Sequence, residues 1–90
     1  MLEKHRLPID HIRVPVKRVR ELDPAKVETL AEDMLENGQK IPIRCRVDPK
    51  SKGSPDGPRY ILVEGQHRLE ALRALGEAEI TAYLVNAALK

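Results

Sequence analysis

Residues 60–76 constrain the fold of this 90-residue chain more than any other stretch. Tyr60 to Val63 is a short apolar run of strand character, Gly65 breaks it, and Leu69, Leu72 and Leu75 then recur at helical spacing until Gly76 stops them. Strand, glycine and helix therefore follow one another with no room for a separate loop. The first helical turn holds His67 and Arg68. Cations at a helix N-terminus face about half a positive charge and lose roughly 0.3–1 kcal/mol, unless an anion shares the site. Gly65 permits close backbone approach, and the whole arrangement describes a phosphate cradle.

The remaining elements can be read around this box. Leu7 to Val16 mixes Ile9, Ile12, Val14 and Val16 with polar residues and is interrupted by Pro8 and Pro15, which predicts an edge strand or extended arm. Asp23 offers an N-cap oxygen and Pro24 suits the first helical position. Glu28 adds acid to the early turns, and Gly38 closes the helix. Its apolar stripe is Val27, Leu30, Ala31, Met34 and Leu35, which must pack on a sheet. Ile41 to Val47 alternates Ile41, Ile43, Cys45 and Val47 inward against Pro42, Arg44 and Arg46 outward, a half-buried strand. Asp48 to Arg59 is dense in Pro and Gly and predicts a long, flexible hairpin loop, the most mobile segment of the chain. Glu79 to Val85 resumes an extended pattern. The order is strand, helix, strand, strand, helix, strand, in a single domain over residues 1–90.

Composition bounds the function. Lys and Arg number 16 against 14 Asp and Glu, so a net charge of +2 does not argue for nucleic acid by itself, and any basic patch must be local. With Tyr60 and Tyr83 as the only aromatics, the stacking platform of a single-strand binder is missing. One cysteine, Cys45, excludes an internal disulfide framework and predicts a buried, inert thiol in a reducing setting. His5 and His11 sit six residues apart in the arm, a poor metal pair. Neither a membrane span nor a signal-peptide core is visible, so a cytoplasmic protein is expected, with no membrane partner.

The pattern Asp23-Pro24-Ala25-Lys26-Val27, then Pro42-Ile43, then Val63-Glu64-Gly65-Gln66-His67-Arg68 before an Ala-containing helix, resembles the ParB/sulfiredoxin fold across about residues 8–86. The resemblance implies a small α/β (α+β) domain with a four-stranded mixed sheet and two main helices. It also implies a nucleotide whose phosphates rest on the glycine-led helix start. Phosphate contact is then expected from Lys26, Thr29, Gly65, Gln66, His67 and Arg68.

Three branches of that fold differ in chemistry. Sulfiredoxins carry a cysteine where this chain has Gln66, and an amide cannot act as that nucleophile. ParB partition proteins, which bind CTP as a clamp switch on DNA, share Gly65, Arg68 and Ala71, but Gln66 and His67 depart from their box. They also require a downstream helix-turn-helix segment. Free-serine kinases have a similar box, with an acid at the position of Glu64. Phosphoryl transfer needs positioning, cationic charge and a carboxylate, which Glu64, Glu21 or Asp33 would supply. Asp33 replaces a hydroxyl residue of the sulfiredoxins, and either repels phosphate or suits a magnesium ion.

The expectation is therefore a ParB-like module binding ATP or CTP, with magnesium as an optional companion. Its role would be regulatory, or DNA-associated through a DNA-binding partner. A phosphotransferase or nuclease with Glu64 as its catalytic candidate is the alternative, and a protein-interaction domain that has lost its ligand is the third reading. The exposed strand edge suits a homodimer.

Overall fold

The computed structural model describes residues 3–19 and 21–85. Five strands form one mixed sheet: β1 (Lys4–Pro8), β2 (Ile12–Arg13), β3 (Ile43–Val47), β4 (Tyr60–Glu64) and β5 (Glu79–Leu84), in the order β1-β5-β3-β4-β2. β1 pairs with β5 and β3 with β4 in antiparallel fashion, while β3 with β5 and β2 with β4 are parallel. Helices α1 (Val16–Val19), α2 (Pro24–Asn37) and α3 (Gln66–Ala74) complete the domain.

The sheet has five strands where the sequence pattern gave four. The segment read as one edge strand or arm divides in two. β1 lies on one edge of the sheet and β2 on the other, joined by a 3-10 turn at Ile9–His11. Leu7, Ile9 and Ile12 are all buried, so this segment crosses beneath the core on its way between the edges. Ile9 donates its N–H to the Ala78 carbonyl at 2.9 Å, which ties the crossing to the start of β5.

One face of the sheet is covered. Leu7, Ile43, Cys45, Tyr60, Leu62, Ile80 and Ala82 from the strands meet Met34, Leu69, Ala71 and Leu72 from α2 and α3, with Val27, Leu30, Ala31 and Leu75 at the margin. Three expected core residues lie outside it: Leu35 is 74 % exposed, Ile41 55 % and Val47 40 %. Leu35 sits about 100° round the helix from Met34, beyond the stripe that Val27, Leu30, Ala31 and Met34 already fill. Ile41 precedes β3, and Val47 is its last residue.

The ends of α2 and α3 follow their sequence signals. Asp23 accepts a hydrogen bond from the Ala25 N–H at 3.0 Å, and Gly38 ends α2 with its N–H on the Met34 carbonyl at 2.8 Å. After α3, Gly76 bonds to Arg73 and Glu77 to Leu72, a Schellman closure. The Gln39 amide then acts as a rung of the ladder, accepting from the Thr81 N–H at 2.8 Å and donating to the Thr81 carbonyl at 2.9 Å.

The Pro- and Gly-rich connection between β3 and β4 is not a free loop at its base. Pro49–Ser51 forms a 3-10 turn, the Ser51 hydroxyl donates to the Asp48 carbonyl at 2.7 Å, and it accepts from the Arg59 N–H at 2.9 Å.

Cys45 is fully buried in β3, and desolvation pushes its thiol up to about 12. Between about pH 9 and 12 the unfolded chain loses this proton while the folded chain keeps it. Stability contributed by the neutral thiol is thus fully present below about pH 9 and declines as pH rises, by about 1.4 kcal/mol per unit. Chemical denaturation from pH 8 to 10.5 should show this decline in the native chain. Cys45→Ala should be less stable at pH 8 but should show a shallower decline.

Candidate functional site

The site begins with a backbone requirement. β4 turns into α3 through Gly65, which has a φ of 109° and no side chain to cap the helix. An added Cβ would lie 2.5 Å from Ile43 Cγ2 and 2.8 Å from Ile43 Cβ, so the turn is pressed directly on β3. The first helical hydrogen bond runs from the Leu69 N–H to the Gly65 carbonyl at 3.0 Å. The N–H groups of Gln66, His67 and Arg68 precede it and have no helical acceptor. No acidic residue occupies this first turn. The N-terminus of α3 is thereby a donor-rich, positively polarised end.

A second helix start is brought against it. His67 Nε2 accepts the backbone N–H of Asp23 at 3.0 Å, linking the first turn of α3 to the N-cap of α2. The acceptor role of Nε2 puts the ring proton on Nδ1. Between the two helix starts lies a cleft of about 250 Å³ lined by Glu21, Lys26, Leu30, Gly65, Gln66, His67 and Arg68. Neither Lys26 nor Arg68 has a carboxylate within ion-pair distance among the described residues. Gln66 is only 6 % exposed. Its amide makes no hydrogen bond among the described residues, and no side-chain nitrogen or oxygen there is both sealed from solvent and unpartnered. The cleft it lines is where its polar end retains contact with solvent.

Five of the six expected phosphate-binding residues therefore meet around one cleft: Lys26, Gly65, Gln66, His67 and Arg68. Thr29 does not join them. Its hydroxyl donates to the Ala25 carbonyl at 3.1 Å, and it lines the acidic outer surface of α2 with Glu32, Asp33 and Glu36. Asp33 accepts from the Asn37 amide at 2.9 Å on that same surface and does not line the cleft. Glu64 is paired with Arg44 at 3.6 Å and does not line the cleft. The carboxylate that does is Glu21, one of the three candidates that the sequence offered for phosphoryl transfer. The helix period explains these outcomes: Lys26 and Leu30 share one face, while Thr29 and Asp33 share the next.

Fold and site together define a small α+β domain in which an uncapped, cation-bearing helix start adjoins a second helix N-terminus. The chain belongs to the ParB N-terminal domain family, whose model matches residues 2–89. Among solved structures it is similar to sulfiredoxin from Arabidopsis thaliana, at 27% identity over 94% of this chain and 86% of that one, with a TM-score of 0.76. It is also similar to a truncated chromosome-partitioning protein ParB from Caulobacter crescentus complexed with CTP-gamma-S, at 20% identity, covering 96% of this chain and 47% of that one, with a TM-score of 0.75. A free serine kinase variant in complex with ADP matches at 18% identity, covering 93% of this chain and 31% of that one, with a TM-score of 0.71. The likeness to the last two is one of fold, and this chain spans only about half and a third of their lengths. No curated protein sequence matches the chain.

Gly65→Ala should cost about 3 kcal/mol or more, combining a strained positive φ with a clash against buried Ile43. Urea denaturation checks this, and a loss below about 1 kcal/mol would contradict the close packing.

Proposed function

We propose that this domain binds a nucleoside triphosphate, with its phosphates on the N-terminus of α3, and serves as a nucleotide-dependent regulatory module. The observation that carries this reading is the cleft where Lys26 and Arg68, neither of them in an ion pair among the described residues, meet the N–H groups of Gln66, His67 and Arg68 that have no helical acceptor. Such an array neutralises phosphate oxygens, and Arg68 can do so through two parallel hydrogen bonds. Membership of the ParB N-terminal domain family, and similar structures solved with CTP-gamma-S, ADP and AMP, support a nucleotide as the ligand. At about 250 Å³ the cleft lies just below the roughly 300–1,000 Å³ of whole-ligand sites, and suits the phosphate tail with the base outside. Gln66 offers no nucleophile and Cys45 is buried, so sulfiredoxin chemistry is not proposed.

A second reading is favoured by Glu21. A carboxylate beside phosphate-binding cations can orient an attacking hydroxyl, which would make the domain part of a phosphotransferase. The regulatory reading instead implies binding with slow turnover, and action on DNA through a DNA-binding partner.

A thermal-shift panel of ATP, ADP and CTP, each with and without magnesium, tests the shared core of both readings. A nucleotide at ten times its Kd adds about 1.4 kcal/mol, a rise in Tm of at least about 5 °C for a domain of this size. Arg68→Ala and Lys26→Ala should remove most of that rise while remaining folded. The absence of any shift with every nucleotide would leave only a protein-interaction role. Rapid phosphate transfer that Glu21→Gln abolishes would favour the phosphotransferase.

A further inference from the structure

The sequence offers His67 as a cation for phosphate, yet the partner of its ring is itself a donor. The backbone N–H of Asp23 meets Nε2 at 3.0 Å. A backbone N–H can only donate, so Nε2 carries a lone pair and the ring is neutral, with its proton on Nδ1. A second proton would set one N–H against another at that distance. No carboxylate stands within ion-pair distance of either ring nitrogen among the described residues. Glu21, Asp23 and Lys26 approach from the α2 side and Arg68 from the same turn of α3. The Asp23 carboxylate is turned to the Ala25 N–H at 3.0 Å. On β3, which also packs on α3, Cys45 is sealed in the core and Arg44 is engaged by Glu64 at 3.6 Å.

This bond is the only hydrogen bond joining α2 or its cap to α3 among the described residues. Elsewhere the two helices meet through the apolar core of Val27, Leu30, Met34, Leu69 and Leu72. Apolar burial is non-directional and does not fix how the two helix starts are set beside each other. Asp23 does. Its carbonyl accepts the Val27 N–H at 3.1 Å and its carboxylate the Ala25 N–H, so Lys26 lies in a turn whose position Asp23 determines.

We infer that His67 is a positioning residue that works only as a neutral imidazole, holding the start of α2, and with it Lys26, beside the anion site of α3, so that acid opens this site. The inference rests on the nucleotide reading for its ligand, but not for its tether. Imidazole gains its charge between about pH 5 and 8, so a histidine serving as a phosphate cation strengthens anion binding as pH falls. Here the sign is reversed. Protonation removes the acceptor for Asp23 and frees Lys26 from the cleft, whereas the neutral ring keeps its Nδ1–H as a donor for the ligand. Only the fraction with neutral His67 is then competent, and apparent affinity falls toward about ten-fold per pH unit once the ring is mostly charged.

Two measurements on the full chain test this. Imidazole and amide NMR spectra without ligand, from about pH 8 to pH 5, should show the Nδ1–H tautomer of His67 at the alkaline end, with the Asp23 and Lys26 amides shifting at the same midpoint as the ring. An Nε2–H tautomer, or amides that ignore the ring, would overturn the tether. Binding of ATP, and of inorganic pyrophosphate as a probe without a base, is then compared between native chain and His67→Gln, whose amide oxygen can accept the Asp23 N–H but does not titrate. The variant should bind like the native chain at the alkaline end, and the native chain should weaken relative to it on acidification, a ratio that cancels protonation of the phosphates themselves. His67→Lys, a permanent cation without an acceptor, should bind more weakly than either. Native binding that strengthens in acid relative to His67→Gln, or full affinity in His67→Lys, would show that His67 acts as a cation and refute the inference. If neither anion binds at any pH the nucleotide reading falls, and the ring and amide titration alone upholds or overturns the tether.

Discussion

The contact between Gly65 and Ile43 is the constraint on which the rest of the domain depends. β4 passes into α3 with no intervening loop through Gly65, which takes a left-handed conformation and lies where any Cβ would strike the buried start of β3. The close approach has two consequences at once. It sets α3 over the sheet with Leu69 and Leu72 in the core, and it leaves the first N–H groups of α3 open at the edge of that core. Packing and binding capacity thus come from the same turn.

The second helix start is recruited by a single hydrogen bond. Because His67 accepts the Asp23 N–H, the residue that looked like a phosphate-neutralising cation also aligns α2. It leaves its Nδ1–H as the ring's remaining donor. Positive charge in the cleft falls to Lys26 and Arg68, with Gln66 supplying a neutral amide in place of a nucleophile. Asp23 spends its carboxylate on its own helix, whereas α3 has no such cap. The asymmetry between a capped and an uncapped helix start decides which of them is available to an anion.

How much of this the sequence disclosed depended on the range of the interaction. Both main helices, their caps and the strand–glycine–helix turn follow from periodicity and from residues within a few positions of each other. The resemblance carried by the Gly65–Arg68 box reached the fold family. The two edge strands stayed hidden because Pro8 suggested one interrupted arm, and only the burial of Leu7, Ile9 and Ile12 under the sheet splits it. Thr29 and Asp33 were grouped with Lys26 by their place in the family pattern, yet they lie on the next face of α2. The resemblance to the free-serine-kinase box points to Glu64, whereas next to the bulge at Arg44/Cys45 it pairs with Arg44. The bond from Asp23 to His67, 44 residues apart, has no local signature.

The proposed anion site is the uncapped start of α3, with Lys26 reaching it from α2. Amide chemical-shift mapping by ¹H–¹⁵N NMR during titration with ATP tests it most directly. The expected result is that the amides of Gln66, His67 and Arg68 shift together with those of Asp23, Ala25 and Lys26, along one saturation curve. Shifts confined to other parts of the chain, or no saturable shift at either helix start, would contradict it.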